Sequence, residues 1–219
     1  MDQTIFPARA VLLDWDGTLL NSYASDTRAY LAMFRALDIE WTTREIERHY
    51  SPNWYHVYQA AQIPRARWTE ADHIWRKAYA KERPALLPGA RSTLRLLARK
   101  YHLGLVTSGS RTRVRTQLRQ FEFVSFFQAC VYSEDAPKKK PHPAALRIAL
   151  ERLKVQPEEC VYVGDTPEDI HMARRAGVRA IGVLGPFPSA RRIRAANPDV
   201  LLRSIRELPR YLRPSPGSK

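Results

Sequence analysis

The 219-residue chain has only two cysteines and nine glycines, and no apolar run approaches the roughly 20 residues a membrane helix needs. Cys130 and Cys160 each sit in a short apolar segment without CxxC spacing. This argues against a disulfide framework and reads as buried free thiols in a reducing compartment. Met1 to Arg9 has no apolar core of a signal peptide, so a cytoplasmic location is expected. Acidic residues are also short, 22 against 36 basic, for a net charge of +14. The excess lies mostly in the later chain as scattered arginine, with no run longer than Lys138-Lys139-Lys140. A dedicated nucleic-acid binder concentrates its charge in a stripe or tail and adds a recognisable module, and none is present. Attraction of small anions, or plain solvated surface, accounts for the charge. What is abundant is core material. At 44% hydrophobic and 10% aromatic, the chain suits one large domain or a core with a smaller insert.

The pattern changes along the chain. Val11-Leu12-Leu13 is a short apolar run that stops at Asp14 and Asp16, then Gly17-Thr18. The run reads as a strand buried on both faces. The two carboxylates after it are either a turn with a cap or part of a site, and this stretch alone leaves both open. About sixty helical residues follow. Ala24–Leu37 is amphipathic, Thr42/Thr43 with Glu45 looks like a capped start, and Trp54–Gln62 and Trp68–Glu82 continue the block. From Pro88-Gly89 helix and strand alternate. Helices are predicted at Arg91–Lys100, Thr112–Phe121, His142–Leu153 and Asp169–Ala176, and strands at Leu103–Val106, Ala129–Tyr132, Cys160–Val163 and Ala180–Val183. Val200-Leu201-Leu202 reads as an edge strand, Ser204 to Leu212 as a last helix, and the tail from Pro214 as frayed. The spacing predicts an α/β fold, a Rossmann-like parallel sheet with helices on both faces, plus an inserted all-helical cap. The expected division is a core of residues 1–20 and 88–219 with a cap of residues 21–87.

Four strands end in chemistry: Asp14 and Asp16, then Thr107 and Ser108, then Ser133-Glu134-Asp135 leading to Lys140, then Asp165 with Asp169. An open parallel sheet binds ligands at its carboxyl edge, where these groups converge. Carboxylates crowded there repel one another unless a hard cation is shared, and oxygen-only ligands favour Mg²⁺ over zinc. Lys140 adds a positive charge and Thr107 or Ser108 a hydroxyl beside backbone N–H groups. The set describes a phosphoryl-transfer site with a built-in nucleophile.

These residues resemble the haloacid dehalogenase superfamily of phosphohydrolases. Asp14-Trp15-Asp16-Gly17-Thr18 matches its DxDGT motif, Thr107 with Ser108 its strand-end hydroxyl, Lys140-Pro141-His142-Pro143 its KPxP, and Gly164-Asp165-Thr166-Pro167-Glu168-Asp169 its GDxxxD. The helical insert is similar to the cap of the phosphoglycolate phosphatase and beta-phosphoglucomutase branch. The resemblance implies Asp14 as nucleophile, Asp16 as general acid and base, and Lys140 as a catalytic and phosphate-binding cation. It implies phosphate contacts from Thr107 and Ser108, and Mg²⁺ held by Asp14, the backbone carbonyl of Asp16, and Asp165. Asp169 is then an orienting residue behind them. The implied activity is hydrolysis of a small phosphomonoester through an aspartyl-phosphate. A phosphomutase, or a non-catalytic phosphate- or RNA-binding protein on the same scaffold, is the alternative. The expected partner is a small phosphorylated metabolite, with no membrane or nucleic acid, and the chain is read as a monomer or weak dimer.

Lesser features have blander readings. Lys138, Lys139 and His142 read as surface, Trp15 as packing, and Arg111, Arg115 and Arg119 as a solvated helix face. Trp54, Tyr55 and Tyr58 read as cap core. The break His49-Tyr50-Ser51-Pro52-Asn53 is a candidate substrate-reading loop.

Overall fold

The computed structural model describes residues 5–216. Its strands are β1 (Phe6–Ala8), β2 (Ala10–Leu13), β3 (Leu20–Asn21), β4 (Ala85–Leu86), β5 (His102–Val106), β6 (Ala129–Val131), β7 (Cys160–Gly164), β8 (Arg179–Val183), β9 (Val200–Leu202) and β10 (Leu212–Pro214). Its α-helices are α1 (Tyr23–Ala36), α2 (Thr43–His49), α3 (Trp54–Ala60), α4 (Trp68–Tyr79), α5 (Ala90–Ala98), α6 (Arg111–Gln120), α7 (Ala144–Leu153), α8 (Pro167–Arg175) and α9 (Ala190–Ala195). Six strands form one sheet in the order β6-β5-β2-β7-β8-β9. Every pairing in it is parallel. Parallel neighbours need crossovers, and the helices of those crossovers cover both faces.

The all-aliphatic β2 is buried along its length in the middle of the sheet. Val11 and Leu13 join a core with Leu94, Leu97, Leu105 and Ile181. Ala10 and Leu12 face the other way, into a core with Leu146, Ile170 and Ala173. The helical block α1–α4 has a core of its own, where Tyr30, Met33, Phe34 and Leu37 meet Ile46, Val57, Tyr58 and Ala71. The antiparallel pair β3–β4, Leu20 opposite Leu86 and Asn21 opposite Ala85, ties the two ends of this block together.

Most expected elements are present, and their ends move for local reasons. α3 stops before Gln62 because that residue takes a left-handed backbone, φ 55°. α7 begins at Ala144 and not His142, since a residue preceding proline is disfavoured in a helix. α8 begins earlier than Asp169 because Thr166 caps it. The Asp169 amide donates to Thr166 Oγ1 at 3.3 Å, and the Thr166 amide donates back to Asp169 Oδ2 at 3.1 Å. The last helix is a 3₁₀ segment, Ile205–Tyr211, with Pro209 inside it. The tail is corrected at its start: Leu212–Pro214 pairs in parallel with β1 and so is not frayed. Residues 217–219 lie outside the described residues.

Candidate active site

Register brings the strand-end groups together. Leu13 pairs with Leu105 on one side and Val163 on the other. Asp14 therefore falls one residue, and Thr107 and Asp165 two residues, past a common line at the carboxyl edge. The Asp14 amide still donates to the Val163 carbonyl at 2.9 Å, so the nucleophile candidate is fixed by the ladder itself.

Behind Asp14 lies a buried polar network. Lys140 Nζ donates to Asp14 Oδ1 at 2.8 Å, to Asp169 Oδ1 at 2.8 Å and to the Tyr162 hydroxyl at 2.9 Å. An ammonium has three protons, and all three are engaged. Asp169 is equally committed, with Oδ1 taking Lys140 and Tyr162 and Oδ2 taking the Thr166 amide and hydroxyl. Burial pushes the Asp14 carboxyl up, the Lys140 charge pulls it down, and the outcome is a pKa of about 7. Burial works against the Lys140 charge too, but Asp14 and Asp169 outweigh it and raise its pKa.

Asp165 is fully buried. The Thr18 hydroxyl donates to its Oδ1 at 3.2 Å, while its Oδ2 is buried with no hydrogen-bond partner. Burial first, then the charges of Asp14 and Asp169, hold its carboxyl well above the usual range. A buried, unpartnered carboxylate oxygen is costly, and a cation relieves that cost. Oxygen atoms of Asp14, Asp165 and Asp169 lie within 4.8 Å of one another. Since Asp169 is saturated, Asp14 and Asp165 are the pair left to hold a hard cation such as Mg²⁺. Gly17 keeps this pair close: its φ is +78°, and a Cβ there would overlap the Asp165 carboxylate. Gly17→Ala is expected to lower turnover about 100-fold by displacing Asp165. It should lower Tm by about 5 °C through strain at a positive φ. Steady-state rates and a thermal melt check both.

Asp16 is held differently. Arg113 Nη1 donates to its Oδ1 at 2.9 Å and Nη2 to its Oδ2 at 2.6 Å. Asp14, Asp16, Thr107, Ser108 and Arg113 line one cavity of about 100 Å³, roofed by residues of α1, α3 and α4. Thr107 Oγ1 accepts from the Gly109 amide at 3.0 Å, which shapes the turn leading into α6. The loop after α2 reaches the cavity through Tyr50, Ser51 and Pro52. It is fixed to the sheet side by Ser51 Oγ donating to Glu168 Oε1 at 2.9 Å and by Tyr50 stacking on Phe187 with centroids 4.3 Å apart.

Trp15 packs as expected, buried against Phe121 and Phe123. Lys139 departs from a plain surface reading, because its Nζ lies 4.2 Å from the Trp54 ring centroid. Trp54 and Tyr58 belong to the helical core and also line the cavity. Three site residues went unread in the sequence. Tyr162 looked like strand filler in an apolar run. Arg113 was hidden by the neighbouring Arg111/Arg115/Arg119 spacing, although it shares a face with Gln117. Asp26 lies one turn before Tyr30 on the buried face of α1, and a carboxylate on an apolar stripe was the available signal.

The fold is an α/β core with a parallel sheet whose carboxyl edge carries the candidate site, and the comparisons make the assignment narrower. Residues 11–183 match the family of haloacid dehalogenase-like hydrolases, and the chain belongs to that family. It is 29% identical over 94% of its length to a phosphoglycolate phosphatase of Pseudomonas putida, covering 81% of that protein. In fold it is similar to a putative phosphoglycolate phosphatase from Lactobacillus plantarum, with TM-score 0.85 and 22% identity over 94% of this chain and 100% of that one. It also resembles a putative beta-phosphoglucomutase from Thermotoga maritima, with TM-score 0.69 and 23% identity over 91% of this chain and 96% of that one. Among the described residues no helix is long and apolar enough to cross a membrane.

Proposed function

We propose that this hydrolase is a Mg²⁺-dependent phosphatase of small phosphomonoesters. The observation that carries the reading is the Asp14 carboxylate at the cavity wall, pinned by Lys140 and faced by the Thr107-Ser108 turn. Asp14 attacks phosphorus, the P–O bond to the leaving group breaks, and Asp16 passes a proton to the leaving oxygen. Water then attacks phosphorus of the aspartyl-phosphate and gives a proton to Asp16, while the bond from phosphorus to the Asp14 oxygen breaks, releasing phosphate and restoring the carboxylate. Thr107, Ser108 and the backbone N–H groups after them receive the phosphoryl oxygens. Lys140 serves the phosphoryl group through Asp14, since its three protons are already engaged. Asp169 orients Lys140. Asp14, Asp165 and the backbone carbonyl of Asp16 would hold Mg²⁺, which would supply charge neutralisation at the phosphoryl group.

Residues 21–87 act as a cap over the core of residues 1–20 and 88–219, excluding bulk water and selecting the ester. A cavity of about 100 Å³ suits one small metabolite. Phosphoglycolate, named for the Pseudomonas putida relative, is the first ester to assay, within a panel of phosphomonoesters. Magnesium-dependent phosphate release supports the reading. Isomerisation of a hexose 1-phosphate without free phosphate would replace it with a mutase.

Magnesium affinity is expected to rise with pH. Without a cation, Asp14 keeps its proton up to about pH 7 and Asp165 is held up as well. Folded pKa values above the unfolded ones mean that stability is lost as pH rises from about 4 toward 7, and a bound cation restores it. The Tm gain on adding excess magnesium to EDTA-treated protein should therefore grow across about pH 5 to 7. Apparent affinity should rise about tenfold per pH unit for one displaced proton. A gain that is flat with pH would count against Asp14 as a ligand.

A further inference from the structure

Arg113 sits in the first turn of α6 with its guanidinium closed on Asp16, fork against fork. Both side chains are only about 15% exposed, and both line the cavity. Several groups besides Asp16 fix the arginine in place. Its guanidinium lies over the Tyr79 ring, 4.9 Å from the centroid, and Nη1 is 3.3 Å from Gln117 Oε1. That amide oxygen is itself anchored by Trp15 Nε1 at 2.9 Å. Arg113 is thus pre-organised to keep its position when its carboxylate partner changes.

Asp16 stands in the opposite situation. Both of its oxygens are engaged by Arg113, so the carboxylate is aimed at the guanidinium and not at a leaving group. For Asp16 to act on substrate it must leave the guanidinium, and an arginine in a largely enclosed cavity then needs another anion. Asp26 is a poor replacement, because burial and the Asp16 charge disfavour its ionised form. The guanidinium fork is filled at present by a planar carboxylate, and a second planar carboxylate is the group that fits it bidentately.

We propose that Arg113 determines specificity by binding a carboxylate on the leaving-group side of the ester, and that this exchange of partners frees Asp16 for the leaving oxygen. The proposal rests on the hydrolase reading above and adds what that reading does not contain, a residue that makes Asp16 available only when the right ester is bound. Two esters with the same carbon skeleton test it, 2-phosphoglycolate and ethyl phosphate, with phosphate release as the readout. The wild type is expected to favour phosphoglycolate by about 100-fold in kcat/KM. Arg113→Met should lower kcat/KM for phosphoglycolate about 100-fold, chiefly through KM, and for ethyl phosphate only about threefold, through the loosened Asp16, so that the preference between the two esters shrinks about 30-fold. Arg113→Lys, which keeps the charge without the fork, should fall between them. If the Met variant does not fold, a selectivity loss of about tenfold in the Lys variant carries the same test.

Equal loss on both esters would mark a merely structural residue and overturn the proposal. A wild type that hydrolyses the two esters alike would overturn it as well, while leaving the hydrolase reading intact. No phosphate release from either ester, nor from p-nitrophenyl phosphate, would remove the hydrolase reading and this proposal together.

Discussion

Asp14→Asn is expected to lower turnover of every phosphomonoester by about 10⁵-fold or more, the scale seen when a covalent nucleophile is removed. The amide keeps the size of the carboxylate and still accepts from Lys140, so geometry is retained while the attacking anion is lost. Stability should change little. At pH 8 the wild-type carboxylate is ionised above its pKa of about 7 among Asp165 and Asp169, and neutralising it removes repulsion as well as one ion pair. Tm in EDTA at that pH should stay within about 3 °C of the wild type. The Tm gain on adding magnesium should shrink, because Asp14 is one of the two carboxylates left to hold the cation. Substantial residual turnover by Asp14→Asn, free of wild-type contamination, would reject the nucleophile assignment.

Lys140→Met should damage fold and chemistry together. Lys140 is 3% exposed and is the cation shared by Asp14 and Asp169, each 2.8 Å away. Removing one partner of a buried ion pair leaves an uncompensated charge and costs about 3–5 kcal/mol. For a chain of this size that lowers Tm by about 10 °C. Turnover should fall about 10³-fold or more, since Asp14 loses both its orientation and the charge that keeps it ionised. The sign of the pH effect distinguishes this from a packing defect. Lys140 holds the Asp14 pKa down, so without it Asp14 protonates more readily and the Tm gap should narrow as pH falls. Adding Asp169→Asn should recover part of the lost stability. A Tm within about 2 °C of the wild type would show that the network does not carry the weight its burial implies.

Much of this protein is legible in its sequence because the signals are local. The aliphatic β2, the helix–strand alternation after Pro88 and the Thr42 capping box each arise from neighbouring residues, and the structure contains all three. Strand ends are also local, so Asp14, Asp16, Thr107, Ser108, Lys140 and Asp165 were all readable as candidates, and the parallel topology brings them to one edge. The sequence by itself thus determined the fold class and the strand-end candidates for the site.

Only the tertiary structure decided who partners whom. Lys140 meets Asp14 across 126 positions and Arg113 meets Asp16 across 97, distances at which no periodicity carries information. Tyr162 reads as one more apolar strand residue until the fold sets its hydroxyl 2.9 Å from Asp169. The pairing of β10 with β1 was hidden for the same reason, since a Pro-containing tail has no local strand signal. Local pattern reports burial and backbone preference. The ionisation and freedom of Asp14, Asp16 and Asp165 depend on which distant charges face them in a dry interior, and that is fixed only when the sheet edge and the helical block close on one cavity.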